Sequence, residues 1–139
     1  PLDLSVVVPL YNEEESLLHL VEQLLQALRP SGERFELVLV NDGSSDRTAE
    51  VLEQLSHEVP ELVAVLLRKN YGQTAAMAAG FDAAQGERVA MGVHGQVIYV
   101  NRAKNLVIAN FASPEATANQ LRPTYKQMLA GTRALAASF

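Results

Sequence analysis

Residues 35–46, FELVLVNDGSSD, decide the fold of this chain. The first six are mainly apolar and rich in branched side chains, which is typical of a strand buried in a parallel sheet. The last six favour a tight turn and a helix N-cap, and a helical pattern through Ala49, Leu52 and Leu55 follows them. A buried strand that passes through a polar turn into a helix is one βα unit.

The same pattern occurs on both sides of this unit. Residues 4–9 (LSVVVP) predict a first strand, and a helix with acidic residues in its first turn follows at 13–28. Residues 62–67 (LVAVLL) predict a third strand, and an Ala-rich helix over 73–85 ends at Gly86 as its C′ residue. Three strands that alternate with three helices predict crossover connections and a parallel sheet covered by helices.

The pattern changes after Gly86. Residues 89–93, 96–100 and 106–111 predict strands, 101–105 predict a hairpin connection, and Ser113 begins a C-terminal helix. We expect this part to be antiparallel and to join the same sheet. The predicted fold is therefore three-layer α/β, a Rossmann-like βαβαβα unit extended by an antiparallel hairpin and a C-terminal helix. If the exposed sheet edge pairs with a second copy, the chain forms a homodimer.

Composition divides this single predicted domain into two segments. The net charge is −5, but residues 1–86 hold 14 acidic against 5 basic residues, a net −9, whereas residues 87–139 hold 2 against 6, a net +4. Such asymmetry indicates segments of different origin or role. The basic residues of the second segment form no aromatic-flanked cluster, which argues against a nucleic-acid partner.

Three absences bear on compartment and chemistry. There is no cysteine, so disulfides, thiolate metal sites and cysteine nucleophiles are excluded. No apolar stretch approaches the ~20 residues that cross a bilayer, and no signal-peptide pattern is present. We therefore expect a soluble, cytoplasmic protein with no membrane segment in this chain.

Polar residues follow all three predicted parallel strands, at 9–13, 41–46 and 68–73. The carboxyl ends of parallel strands lie at one edge of the sheet, where α/β proteins bind ligands. The carboxylates of Glu13 and Asp42 can accept hydrogen bonds from ribose hydroxyls or a base edge. This edge is predicted to bind a nucleotide.

Cations and glycines in the same loops fit that interpretation. Arg68 and Lys69, together with the N-terminus of the following helix, would face phosphates. Gly43 and Gly72 would let the backbone approach closely, because glycine has no Cβ. The ordinary alternative is turn and cap chemistry, which uses the same residue types.

Three motifs carry a family resemblance: VVVPLYNEEESL at 6–17, LVLVNDGSSDRT at 37–48 and LLRKNYGQTAAMAAGFDAAQG at 66–86. In this order they resemble the opening of family 2 glycosyltransferases of the GT-A fold, especially those that transfer mannose or glucose to dolichyl or polyprenyl phosphate. The resemblance implies a UDP- or GDP-type nucleotide or nucleotide sugar as partner. It further implies that Pro9, Tyr11 and Glu13 line the base and ribose pocket and that Asp42 contacts the base. Gln73 is implied to lie near the nucleotide.

The chain departs from that family after Gly86. There the resemblance implies a strand that ends in an acidic metal-binding motif, with a catalytic base further on, but after Glu87 the only acidic residue is Glu115. We therefore predict nucleotide-sugar binding without turnover, no catalytic residues and no protein metal ligands. Mg²⁺ or Mn²⁺ is expected only with a bound nucleoside diphosphate. Two alternatives remain: a chimeric or designed structural protein without a ligand, and a fragment whose metal loop comes from a partner chain.

The second segment shows a different resemblance. The stretch MGVHGQVIYVNRAKNLVIANFASPEA at 91–116 is similar to the C-terminal end of β-lactamase and penicillin-binding-protein-like serine hydrolases, in particular the 6-aminohexanoate-dimer hydrolase branch. The resemblance places His94 at the family's third active-site motif. These enzymes need a serine three residues before a lysine, and no such pair occurs in the chain. Serine hydrolase activity is therefore not expected, and His94 is predicted to be structural.

Overall fold

A computed structural model describes residues 1–93, 96–101 and 106–110, and these form a six-stranded mixed sheet with α-helices on both faces. The elements in chain order are β1 (Leu4–Leu10), α1 (Leu17–Leu28), β2 (Phe35–Asn41), α2 (Thr48–Glu58), β3 (Leu62–Leu66), α3 (Gln73–Ala83), β4 (Arg88–Val93), β5 (Gln96–Asn101) and β6 (Leu106–Asn110). The predicted C-terminal helix and the 102–105 connection lie outside the described residues.

The sheet order is β3-β2-β1-β4-β5-β6. Strands β3, β2, β1 and β4 pair in parallel, and β5 and β6 add antiparallel strands. The prediction that both segments share one sheet is confirmed. The prediction that every strand after Gly86 is antiparallel was wrong for β4. Because α3 carries the chain back across the sheet, β4 enters beside β1 in the same direction, as crossover connections do.

Alternate residues of the central strand β1 point to opposite layers. Val6 and Val8 belong to the core under α1 and α2, whereas Val7 belongs to the core under α3. The first core is completed by fully buried leucines of both helices, and the second by Ala76 and strand valines. This period of two matches the strand pleat, and it yields the predicted three-layer α/β architecture.

The chain between α3 and β4 is held at the amino ends of β1 and β2. The Ser5 hydroxyl donates to Glu36 Oε1 at 2.6 Å, and that oxygen also accepts the Gln85 N–H at 2.7 Å. The Gly86 N–H donates to Ser5 Oγ at 2.8 Å. Ser5 and Glu36 are both buried, so these bonds satisfy groups that water cannot reach.

Glycine is needed at position 86 for a different reason from the one that the sequence predicted. Helix α3 ends at Ala83, and Gly86 is outside the left-handed region, so it is not a C′ glycine. A Cβ at this position would lie 2.6 Å from Ser5 N and 2.7 Å from Leu4 C. Glycine is needed here because two backbone segments pass too close for a side chain.

The start of α1 also differs from the prediction. The helix begins at Leu17, and no acidic residue lies in its first turn. Residues 13–16 instead form a turn before the helix, closed by the N–H groups of Ser16 and Leu17 on the Glu13 carbonyl. The N–H groups of Glu13 and Glu14 donate to the side chains of Thr48 and Asp46 at the start of α2. Among the residues that the structure describes, no helix is both long enough and apolar enough to span a membrane.

The substitution Gly86→Ala should lower the free energy of unfolding by about 1–3 kcal/mol, because the added methyl group must displace the β1 backbone. The matched control is Gln85→Ala, whose side chain is exposed and whose N–H is kept, with an expected change within about 0.5 kcal/mol. Urea denaturation measures both values. Equal stability of the two variants would contradict the close packing at Gly86.

Candidate functional site

Three loops lie together at the carboxyl edge of the parallel strands. The first loop (residues 11–16) follows β1, the second loop (residues 42–47) follows β2, and the third loop (residues 67–72) follows β3. Their convergence follows from the parallel pairing of β1, β2 and β3 in register. The second loop is the middle one, and it makes hydrogen bonds or close contacts with both of the others.

Asp42 joins the second loop to the third. The residue is buried, with 3% of its surface exposed, and its two carboxylate oxygens accept the N–H groups of Tyr71 at 2.8 Å and Gly72 at 3.0 Å. Its own N–H donates to the Leu10 carbonyl at 2.8 Å. Asp42 therefore links the ends of β1, β2 and the third loop through one residue.

Gly43 allows a second contact between the same loops. The residue has φ 61°, and a Cβ added to it would lie 2.1 Å from Lys69 C and 2.3 Å from Asn70 N. The backbone of the third loop therefore occupies the space beside Gly43 that the missing side chain leaves open. Gly72 differs, since its φ is 99° but the position of its missing Cβ faces open space.

Asn12 joins the first loop to the second, and the sequence analysis did not identify it. Its Oδ1 accepts from Ser45 N at 2.9 Å, Ser45 Oγ at 3.2 Å and Asp46 N at 3.4 Å, and its N–H donates to Ser44 Oγ at 3.0 Å. Asn12 has φ 52°, a left-handed conformation that asparagine tolerates better than most residues. An asparagine in a turn was the available signal, but its partners lie more than thirty residues away.

Thr48 and Asp46 add a second link between the first two loops. Thr48 Oγ1 accepts the Glu13 N–H at 2.8 Å and donates to Asp46 Oδ1 at 2.5 Å, while Asp46 Oδ2 accepts the Glu14 N–H at 3.4 Å. Desolvation alone would raise the pKa of Asp46, but the hydrogen bonds from Thr48 and Glu14 outweigh it and lower that pKa below 3.8. Because folding lowers the pKa of Asp46, its ionised carboxylate stabilises the fold at pH values above the pKa of an unfolded-chain aspartate. This stabilisation is lost as the pH falls through the pKa of Asp46 in the folded protein.

Pro9 marks the point where β1 and β4 separate. The pairing of β1 with β4 ends at Val7 and Met91, whereas its pairing with β2 continues to Leu10 and Asn41. Proline has no N–H to donate, so a ladder on the β4 side cannot continue through Pro9. The chain order also reverses between β1 and β4, which makes this a topological switch point of the sheet.

The other predicted site residues lie around this edge with different exposure. Tyr11 is 48% exposed, Glu13 is half-buried with its Oε2 accepting from Ser16 Oγ at 2.5 Å, and Arg68 and Gln73 are exposed. The Lys69 ammonium lies 5.2 Å from the centre of the Tyr71 ring. His94 lies outside the described residues, and its structural role stays a prediction.

An open cavity of about 310 Å³ adjoins the first two loops and is lined by Asn12, Glu13, Glu14, Glu15, Ser16 and Asp46. Its four carboxylates make it a poor place for a phosphate. The described part of the chain also contains no group of three or more His, Asp or Glu residues arranged to hold a metal ion. The negative charge of the carboxylates that line this cavity therefore disfavours an anionic ligand group there.

Comparison with known proteins identifies the family of the part of the chain that contains the parallel strands β1 to β4. The family model described as "Glycosyl transferase family 2" matches residues 5–92, past the boundary at Gly86 and through most of β4. An undecaprenyl-phosphate 4-deoxy-4-formamido-L-arabinose transferase of Pectobacterium carotovorum is 52% identical over 88 residues, and the same-named protein of Pseudomonas paraeruginosa is 50% identical over 91. These matches cover 63% and 64% of this chain but only 27% of each relative.

Solved structures share the fold. S. aureus TarS residues 1–349 in complex with UDP-GlcNAc superpose with a TM-score of 0.57 at 29% identity, covering 73% of this chain and 28% of that one. The same TarS fragment in complex with UDP gives a TM-score of 0.57 at 30% identity, covering 72% and 29%. A Pyrobaculum calidifontis mannosyltransferase in complex with GDP-Man and Mn²⁺, 23% identical and with a TM-score of 0.56, covers 65% of this chain and 28% of that one and shares the fold.

Asp42→Asn should release the third loop, because the amide can replace only one of the two acceptors of Tyr71 and Gly72. The loss of one hydrogen bond to the charged Asp42 carboxylate costs about 1.5–3 kcal/mol, so tryptic cleavage after Arg68 or Lys69 should accelerate roughly tenfold or more. Mass spectrometry of the fragments gives the rate at each site. Asp82→Asn, which changes an exposed carboxylate on α3, is the control and should cleave like the wild type. Equal rates at Arg68 and Lys69 in the two variants would contradict the anchoring role of Asp42.

Proposed function

Because the chain belongs to glycosyl transferase family 2, we propose that its first 92 residues form a nucleotide-binding half-site that takes UDP or a UDP-linked sugar. One observation carries the proposal: the second loop ties the first and third loops into one edge, beside the switch point between β1 and β4. Open α/β sheets bind their ligands in the crevice at such a point.

The residues around the crevice have suitable chemistry for each part of a nucleotide. In the proposal, Pro9 and the ring of Tyr11, which is 48% exposed, line the base, and the Glu13 carboxylate accepts hydrogen bonds from the ribose. An aromatic ring and a carboxylate are groups that bind a base face and a ribose diol. This half of the site comes from the first loop and the end of β1.

The phosphates face the third loop in the proposal. Arg68 and Lys69 supply positive charge, and Gln73 opens α3, whose N-terminal N–H groups point out of the helix. Lys69 already lies over the Tyr71 ring, so its ammonium is held on this side of the edge. Mg²⁺ or Mn²⁺ would enter with the diphosphate and be held by its oxygens.

Asp42 and Gly43 act mainly through the third loop. Each oxygen of Asp42 accepts one backbone N–H, which leaves further lone pairs, but the side chain is buried in this arrangement. A direct contact between Asp42 and the base therefore requires a shift of Tyr71 and Gly72. Such a shift would expose the carboxylate while keeping the fold of β2.

We propose UDP rather than GDP because of the relatives that share enough sequence. The TarS fragment is 29–30% identical and was solved with UDP and UDP-GlcNAc. The mannosyltransferase bound to GDP-Man is 23% identical, which supports the fold alone. By the names of the relatives, the ancestral reaction is sugar transfer to a polyprenyl phosphate.

We further propose that this chain binds without transferring sugar. The family resemblance expects an acidic metal motif at the end of β4, where this chain reads Gly92-Val93-His94, and Glu115 is the only acidic residue after Glu87. Without carboxylates at that place, metal-assisted departure of the diphosphate has no protein ligands. A partner chain that supplies the acidic loop would restore this step.

A second candidate is a chimeric or designed structural protein without a ligand. It is favoured by the internal use of Asp42 and Asn12, by the change in charge after residue 86, and by the end of the family match at Gly92. On this account the stretch at 91–116 derives from a serine hydrolase, and its catalytic Ser-x-x-Lys pair was never included. The two candidates differ in whether the edge binds a nucleotide.

Calorimetric titration with UDP, UDP-GlcNAc and GDP, with and without Mg²⁺ or Mn²⁺, separates the candidates. We expect UDP to bind with a dissociation constant on the order of 0.1–1 mM, the weak range for half a site, and more tightly than GDP. Tyr11→Ala should weaken UDP about fivefold or more through the lost ring contact. The control is Leu18→Ala, another exposed apolar side chain, which should bind as the wild type does.

The proposal fails if no heat is observed at millimolar UDP or GDP, and the structural candidate is then preferred. If the Tyr11→Ala variant binds UDP as tightly as the wild type does, the base does not contact the Tyr11 ring of the first loop. A separate assay for nucleoside diphosphate release from UDP-GlcNAc, with a polyprenyl phosphate present, should give no product. Product in that assay would overturn the proposed lack of turnover.

A further inference from the structure

We propose that Asn12 is a positioning residue at the carboxyl edge of the parallel strands, where the nucleotide is proposed to bind. Its left-handed backbone and its side-chain oxygen fix the first loop against the second before a ligand binds. The inference rests on the proposed nucleotide binding, because it concerns the same edge. Asn12 would touch no ligand. It would act through Tyr11 and Glu13, its two neighbours in the chain.

The backbone of Asn12 sets the path of the first loop. Among the residues that the structure describes, Asn12 is the one non-glycine residue with a positive φ, at 52°. Such a conformation is unfavourable for an ordinary side chain, and asparagine is among the residues that adopt it most readily. This single left-handed residue sets the directions in which the chain leaves toward Tyr11 and toward Glu13.

The side chain of Asn12 fixes that path relative to β2. Its Oδ1 accepts from both Ser45 N and Asp46 N, so one oxygen holds two successive peptides of the second loop. Its N–H donates to Ser44 Oγ, and the Ser44 hydroxyl in turn donates to Asn41 Oδ1 at 2.5 Å. Because Asn41 is buried at the end of β2, the first loop is connected to the rigid sheet.

The exposure of these bonds separates positioning from stability. Asn12 is exposed, and water can replace its hydrogen bonds when the side chain is removed, so the fold loses little. Asn12 is not one of the buried residues that form the core under α1 and α2. Loss of the side chain should therefore broaden the arrangements of Tyr11 and Glu13 and weaken nucleotide binding, because the lost order must be restored on binding.

Three variants separate the two features of Asn12. Asn12→Gly keeps the left-handed backbone and removes the oxygen, Asn12→Ala removes both, and Asn12→Asp, the conservative variant, keeps both. The control Gln26→Ala removes an exposed amide from the other end of α1. Each protein is studied as the 139-residue chain by titration with UDP, by thermal unfolding, and by amide hydrogen exchange at Ser45 and Asp46 without ligand.

We expect Asn12→Gly to weaken UDP binding about threefold to fivefold, with a melting temperature within about 3 °C of the wild type. Asn12→Ala should weaken UDP binding about tenfold and lower the melting temperature by roughly 3–8 °C, because alanine disfavours the left-handed backbone. Exchange at Ser45 and Asp46 should accelerate in both variants. Asn12→Asp should restore the exchange protection and bind UDP more tightly than Asn12→Ala. The Gln26→Ala variant should match the wild type in all three measurements.

Two results would overturn the positioning role of Asn12, and a third would overturn the proposed function with it. Wild-type affinity in Asn12→Ala overturns the positioning role while leaving the proposed function intact. A melting temperature of Asn12→Gly that falls in proportion to its UDP affinity also overturns it, because the effect is then general destabilisation. If the wild type binds no UDP, the proposed function and this role fail together, and the exchange data alone then report whether Asn12 holds the loops.

Discussion

The carboxylate of Asp42 imposes the constraint on which the carboxyl edge of this sheet depends. It is buried where β2 ends, and it accepts two successive N–H groups of the third loop. A buried carboxylate without hydrogen-bond donors costs at least about 1–3 kcal/mol, so the two N–H groups of residues 71–72 are held against Asp42. Gly43 makes this arrangement sterically possible, because the peptide between Lys69 and Asn70 occupies the space of its missing side chain.

This constraint changes how the sequence motif at 37–48 is understood. Its polar residues suit contacts with a ligand, yet in the structure they mainly bind other parts of the chain, Asp42 on one side and Ser45 and Asp46 on the other. These two uses are compatible. A loop that is held on both sides presents its neighbours in one arrangement, and a preorganised edge binds a ligand with less loss of entropy than a mobile one. The motif can therefore matter for binding without lying against the nucleotide.

The sequence predicted the elements better than it predicted their connections. The apolar runs at 4–9 and 35–40 identified β1 and β2 because a strand covered on both faces needs apolar residues throughout. The run at 62–67 identified β3 by its apolar, branched residues, although β3 is an edge strand with Val63 and Leu66 exposed. The direction of β4 and the role of Gly86 were missed, since both depend on where α3 returns the chain beside β1. Asn12 was missed for the same reason. Its function lies in hydrogen bonds to residues 44–46, and such long-range partners leave no local pattern in the sequence.

The family match ends at Gly92, and the antiparallel strands β5 and β6 follow it in the same sheet. Our proposal that the matched residues bind a nucleotide is tested most directly by amide chemical shifts of the labelled chain during titration with UDP. The account predicts that the shifts concentrate in residues 10–13, 41–46 and 68–73 and saturate with one dissociation constant. Shifts confined to Glu14 and Glu15 in the acidic cavity, or scattered over the surface without saturation, would contradict it.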